Sequence, residues 1–251
     1  MDTGRQDRYH DLGAAYFWFA GKRRLAIDLL RRCTHPSEIA IDNRRTLDVG
    51  CGPGHDVDDF RPFGSLYGLD PSLTALMWCR RQHPSDLRLV CATGERLPFQ
   101  ASSFDLVIML DVLEHVDADT DCLRDCRRIL KTGGQLVLTV PAFQWLWGSH
   151  DTWYGHKRRY TVPEIQQKLA QAGFLVERAT YIEWLFVLPL WIVRRAKQWI
   201  PRLSHQDDFV RVPPWLNTLL THFIALEVVW LRHHSLPWGV SIICIARASA
   251  T

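Results

Sequence analysis

Three alternating glycines, Gly50, Gly52 and Gly54, end the short apolar run in RTLDVGCGPG, and Asp70 closes the next one, SLYGLD, eighteen residues after Gly52. Glycine keeps no side chain between the backbone and a ligand and tolerates the dihedrals of a tight turn. In a twisted parallel sheet the carboxyl ends of adjacent strands form a crevice. A glycine loop on one strand and a carboxylate on its neighbour can therefore hold opposite parts of one adenosine-containing molecule. The plain alternative is a tight turn plus a surface aspartate. A second group of interest is DVLEHV at 111–116, a dense set of ionisable residues at the end of a nearly continuous apolar run. A third is AFQWLWGSHDTWYGHKRRY at 142–160, rich in both stacking surface and hydrogen-bond donors.

Positioning these residues requires a framework, and the periodicities supply one. Leu47 and Val49 read as a buried strand, with further strands expected at 65–69, 87–90, 103–110, 135–140, 175–181 and 239–246. Helices are expected at 55–60, 71–81 and 121–131, and from Thr161, whose spacing to Glu164 is that of a capping box with Pro163 in the first turn. Gly133 and Gly134 should turn the third of these into the fifth strand, and 142–160 reads as a loop. Alternation of this kind from 45 to 140 is that of a doubly wound α/β sheet.

Flanking segments are less regular. Ahead of the first strand, Tyr16, Phe17, Trp18 and Phe19 lead into an amphipathic helix carrying Leu25, Leu29, Leu30 and Cys33, and the aromatics either seal a sheet edge or flap over the site. Further on, IEWLFVLPLWIVRRAKQW at 182–199 is interrupted by Pro189 and combines Trp184, Trp191 and Trp199 with Arg194, Arg195 and Lys197. That composition resembles a helix at a membrane surface, and equally a lid or a dimer face. Residues 200–212 read as a polar linker before a helix opened by Pro213 and Pro214. The chain is thus expected to be a single domain, 1–251, with an N-terminal helical cap at 12–34, a cofactor-binding core at 45–181, an accessory helical layer at 182–232 and a final strand within 236–248.

Composition narrows the function classes. The chain has 251 residues, 47% of them hydrophobic, enough for a full core. A net charge of +3 from 30 basic and 27 acidic residues is too balanced to imply nucleic-acid binding. Seven cysteines, at 33, 51, 79, 91, 122, 126 and 244, form no CxxC pair and are odd in number, which fits a reduced cytoplasmic protein and announces no metal. The start MDTGRQDRYHD has no apolar signal core, and no run reaches the 18 apolar residues of a membrane span.

LDVGCGPG, YGLD, ERLPF, SFDLVIMLDVLEHV and LKTGGQLVLTVP stand in an order and spacing that resembles class I S-adenosylmethionine-dependent methyltransferases, in particular their type 11 and type 12 small-molecule group. The resemblance covers about residues 12–181 and the closing GVSIICIAR. It implies a Rossmann-like, seven-stranded, mostly parallel sheet with a C-terminal antiparallel strand, and methyl transfer from S-adenosylmethionine, leaving S-adenosylhomocysteine, to a small-molecule or lipid-like acceptor. Carried onto this chain, it places Gly50, Gly52 and Gly54 under the methionine and ribose, Asp48 at the loop or the cofactor ammonium, and Asp70 on the ribose hydroxyls. It puts Gly94 and Glu95 beside the adenine, with Thr93 where an acidic residue is common, and Leu110 near the sulfonium. His150, His156, Arg158, Arg159 and Tyr160 border the acceptor pocket by the same resemblance, with Trp18 as a further substrate contact. For the two arginines a solvated basic face is an equal alternative, and for Tyr160 the alternative is packing at the helix start. A hydroxyl or ammonium acceptor must lose a proton, which His115, His150 or His156 could take. Competing readings are a nicotinamide-dependent oxidoreductase, whose third glycine would come one residue later, a scaffold without turnover, and a nucleic-acid methyltransferase.

Overall fold

Strands β1 (Arg45–Val49), β2 (Ser65–Asp70), β3 (Arg88–Cys91), β4 (Phe104–Leu110), β5 (Leu130–Pro141), β6 (Phe174–Ile182) and β7 (Ser241–Ala248) form one sheet in the order β3-β2-β1-β4-β5-β7-β6. Pairing is parallel from β3 through β5, and β7 inserts antiparallel between β5 and β6. The strand order reverses direction between β1 and β4, whose carboxyl ends carry Gly50 and Asp111. That reversal is where a doubly wound sheet opens a crevice. The computed structural model describes residues 15–34, 43–84, 87–199 and 212–249. The N-terminal residues before 15 and all but residue 212 of the expected linker lie outside the described residues.

Eight helices flank the sheet among the described residues: α1 (Phe17–Cys33), α2 (Val57–Phe60), α3 (Leu73–Gln82), α4 (Asp119–Ile129), α5 (Ser149–Tyr154), α6 (Val162–Gln171), α7 (Val187–Trp199) and α8 (Pro214–Leu231). Alternate residues of the central strands face opposite layers. Val107 and Met109 pack with Leu123, Cys126, Ile165 and Leu169 of α4 and α6, whereas Leu106 and Ile108 pack with Leu25, Leu29 and Leu30 of α1 and with Val228 and Leu231 of α8. Helix α8 is thus part of the cover of the sheet. Helix α7 buries Arg194 and leaves Leu188, Trp191, Ile192 and Val193 exposed. Among the described residues no helix is long and apolar enough to cross a membrane.

Several expectations are corrected. Gly133 and Gly134 do not end a helix: β5 starts at Leu130, pairs with Phe104, and resumes pairing at Gln135 with Leu106, so the glycines lie in an irregularity within one strand. Helix α3 begins after Ser72, whose hydroxyl accepts from Ala75 N–H, and Pro71 lies outside it. The short helix after the glycine loop covers only Val57–Phe60. Pro189 does not interrupt α7, because it stands in the first turn, where no N–H is needed. The stretch 142–160 contains α5, held at its start by the Asp151 carboxylate accepting from Gly148 N–H at 2.8 Å, and ended at Gly155 with φ 75°. The Thr161 capping box is present, with the Glu164 carboxylate accepting from Thr161 N–H at 2.7 Å.

Candidate active site

A cavity of about 510 Å³ opens at the strand-order reversal. Gly50, Cys51, Gly52 and Asp70 line one part, Asp111, Glu114, His115, His150, His156 and Arg159 another, and Phe17, Trp18, Phe186, Leu190, Val193 and Leu220 the walls. Such a mixture of apolar wall and converging polar groups is typical of small-molecule sites.

The glycine loop is shaped by its neighbours. Gly50, Gly52 and Gly54 all have positive φ, and Gly50 and Cys51 N–H donate to Leu69 carbonyl, tying the loop to β2. At Gly50 an added Cβ would lie 2.4 Å from Val112 Cγ2, so the protein itself requires glycine there. At Gly52 the nearest atom would be 4.0 Å away, and the missing side chain leaves space on the cavity side. The Asp70 oxygens accept from Gly52 N–H at 3.0 Å and Ser72 N–H at 2.8 Å, so Asp70 holds the loop in shape.

The carboxylates around this loop repel one another. Burial, together with Asp56 and Asp70, raises the pKa of Asp48 well above its ordinary value, and one Asp48 oxygen is buried without a hydrogen-bond partner. Asp56 is pushed up to about 6, mainly by burial, and burial raises Asp70 too. Asp56 and Asp70 line the cavity, where a cationic ligand would relieve them, whereas Asp48 is buried behind the lining.

Across the cavity, Lys22 of α1 donates to Asp111 Oδ2 at 2.6 Å. Burial would lower the Lys22 pKa, yet Asp111 and Glu183 outweigh it and hold the ammonium charged. Asp151 is fully buried and joins three partners: His156 Nδ1 at 2.8 Å, Arg159 Nε at 2.8 Å and Arg194 Nη1 at 3.5 Å. Despite burial, these hold its carboxyl well below the usual carboxylate range. The three candidate histidines come together, with the His156 ring centroid 4.8 Å from that of His115 and 5.7 Å from that of His150. Burial lowers the pKa of His156, and burial followed by repulsion from His156 lowers that of His115 to about 4, so both rings are neutral near pH 7.

Of the other expected site residues, Trp18 and Leu110 line the cavity. Thr93, Gly94 and Glu95 do not: Thr93 and Glu95 are exposed on the loop after β3, and Gly94 lies against Val49. Arg158 is turned away and bonds Asp119 and the Asp117 carbonyl. Tyr160 is buried in the core with its hydroxyl donating to Asp119 at 3.0 Å, so packing, not substrate contact, explains it. The aromatic cluster lines the cavity, where Trp18 meets Phe186 edge-on at 5.4 Å. Sequence reasoning missed Lys22, Glu114, Asp151 and Arg194. Glu114 lies in DVLEHV, Asp151 in the 142–160 stretch and Arg194 at the basic end of 182–199, whereas Lys22 carried no local signal.

Residues 47–138 match the family described as "Methyltransferase domain". A Mycobacterium tuberculosis protein described as a "Probable S-adenosylmethionine-dependent methyltransferase" is 27% identical over 168 residues, covering 66% of this chain and 58% of its own length. A Mycobacterium bovis protein described only as uncharacterised is 33% identical over 138 residues, covering 52% of this chain and 46% of its own. The chain spans about half the length of the curated relatives it matches. Among solved structures, an S-adenosylmethionine-dependent methyltransferase from Thermotoga maritima superposes with a TM-score of 0.60 at 18% identity, covering 97% of this chain and 95% of that one. The cyclase SpnF superposes with a TM-score of 0.57 at 19% identity, covering 91% and 82%. At such identities the likeness is one of fold, which hosts more than one chemistry.

Proposed function

We propose that this chain, whose residues 47–138 match the methyltransferase domain family, is a class I S-adenosylmethionine-dependent methyltransferase, and that its cavity transfers a methyl group from S-adenosylmethionine to an acceptor with a proton-bearing polar end and an apolar body. The observation that carries this reading is one continuous cavity joining the open space over Gly52, the histidine group and the aromatic wall.

The residues present fit that cofactor. Asp56 and Asp70 line the cavity as an acidic pair suited to a cationic ligand, and Gly52 leaves its backbone uncovered. When bound, the cofactor supplies an already activated methyl group, so the chain need not form a covalent intermediate. Its own residues have three tasks. Asp70 and the glycine loop fix one end by hydrogen bonds and shape. Phe17, Trp18, Phe186, Leu190 and Leu220 exclude water and hold the acceptor's apolar body, which supplies the alignment on which transfer depends. The neutral imidazole group, with His156 oriented by Asp151, stands ready to receive the proton a hydroxyl or amine gives up. Exposed Leu188, Trp191 and Ile192 on α7, next to the cavity residues Leu190 and Val193 and beside Arg195, suit contact with the surface of an anionic membrane carrying such acceptors.

Calorimetry tests the cofactor half. S-adenosylmethionine should bind at one site, and Asp70→Ala, which removes an acceptor and slackens the loop, should weaken binding by roughly 5- to 150-fold, equivalent to about 1–3 kcal/mol. Equal affinity in the two proteins would remove Asp70 from the site.

A further inference from the structure

Glu114 lines the cavity without a part in holding the cofactor or taking the acceptor's proton. It is fully buried, and neither carboxyl oxygen has a hydrogen-bond partner apart from a contact with its own backbone N–H. An unpaired carboxylate in such a place costs several kcal/mol unless it is protonated or meets a cation. Lys22 does not fill that role, since its ammonium is engaged by Asp111. Two imidazoles also lie close to Glu114. His156 Nε2 lies 3.9 Å from Glu114 Oε1, and one ligating atom from each of Glu114, His115 and His156 falls within 4.8 Å of the others.

We propose that Glu114, His115 and His156 bind one divalent transition-metal ion of the zinc class inside the cavity. Two imidazoles and a carboxylate form a ligand set that zinc accepts in sites keeping one position open. The outer contacts support the same assignment. His156 is held through Nδ1 by the Asp151 carboxylate, which turns Nε2 toward Glu114, and the His115 ring is hydrogen-bonded to the backbone of Gly155. Carboxylate and carbonyl partners of this kind fix the tautomer and orientation of metal-ligating histidines. Both rings are neutral near pH 7, as ligation requires. Ligand atoms around a tetrahedral zinc ion stand about 3.4 Å apart, given bond lengths of about 2.0–2.2 Å. Glu114 and His156, 3.9 Å apart, must therefore close by roughly half an ångström, and the widest spacing in the trio, up to 4.8 Å, by roughly 1.4 Å, which rotations of the three side chains supply. All three residues line the cavity, so the open position faces the space assigned to the acceptor, and an acceptor hydroxyl or amine would complete the coordination; with His115 and His156 taken up as ligands, His150, which lines the same cavity, is the imidazole left to receive the acceptor's proton. That last step rests on the proposed function, whereas the metal site does not.

The test uses the full chain freed of metal by a chelator. Titration with Zn²⁺ should show one saturable site by calorimetry. Co²⁺ should give visible absorption from a low-coordinate nitrogen and oxygen site, without the near-ultraviolet band of cysteine ligation. Both signals should disappear in Glu114→Gln and in His156→Ala. Glu114→Gln should fold, since it removes a buried unpaired acid and keeps its shape. Three results would each overturn the proposal: no saturable binding to the native chain, which would leave Glu114 as a protonated acid; a thiolate spectrum; or unchanged binding in both variants. Titration of the native chain with S-adenosylmethionine, measured separately, keeps a failure here distinct from a failure of the methyl-transfer reading.

Discussion

Gly52→Ala is expected to bind S-adenosylmethionine at least tenfold more weakly, a loss of about 1.4 kcal/mol or more, while remaining folded. The added methyl meets no protein atom closer than 4.0 Å and projects where the cofactor's own volume should lie. Its cost to folding is the left-handed backbone, with φ at 50°, worth about 1–2 kcal/mol for a residue with a Cβ. Gly50→Ala is the contrasting case. There the methyl would sit 2.4 Å from Val112 Cγ2, and overpacking adds about 1–3 kcal/mol to the same backbone cost. Thermal unfolding and calorimetry on the pair should show the larger loss of stability at position 50. At position 52 the loss should fall mainly on cofactor affinity. Native affinity in Gly52→Ala would show that no ligand passes over that glycine.

Asp151→Ala is expected to cost the fold about 3–5 kcal/mol, because it leaves buried cations without their counter-charge. Arg159 is 7% exposed and Arg194 6%, so water cannot replace the lost carboxylate. The same change removes the acceptor at the start of α5 and the partner of His156 Nδ1. Denaturant unfolding should show a lower midpoint. A change below about 1 kcal/mol would mean that the arginines find other partners, such as the Leu146 and Ala142 carbonyls that they already meet.

Local rules made the framework legible. Glycine spacing, Asp70 at the end of an apolar run, and the Thr161 to Glu164 box each depend on residues close in sequence, and each has its counterpart in the structure. Helix α5 also had local marks, namely glycines at both ends and Asp151 at the third position, but the tryptophans and histidines between them masked its short periodicity. Gly133 and Gly134 misled because glycine marks an irregularity within a strand as readily as a turn between elements. The charged floor of the cavity was hidden for a different reason. Lys22 meets Asp111 across 89 positions, and Glu114 approaches His156 across more than forty, so neither pairing leaves a periodic trace. Arg158 and Arg159 stand side by side in sequence yet point to different partners, one to Asp119 and the other to Asp151, a division fixed only when α5 and α6 are packed.

Methyl transfer itself is tested most directly by incubating the full chain with S-adenosylmethionine labelled at the methyl carbon and a cell lipid extract presented in anionic vesicles. The label is then partitioned between organic and aqueous phases. Enzyme-dependent label in the organic phase, matched by formation of S-adenosylhomocysteine and strongly reduced in Gly52→Ala, is the predicted result. Label confined to aqueous products would contradict the apolar acceptor, and binding of S-adenosylmethionine with no label transferred to any fraction would contradict methyl transfer.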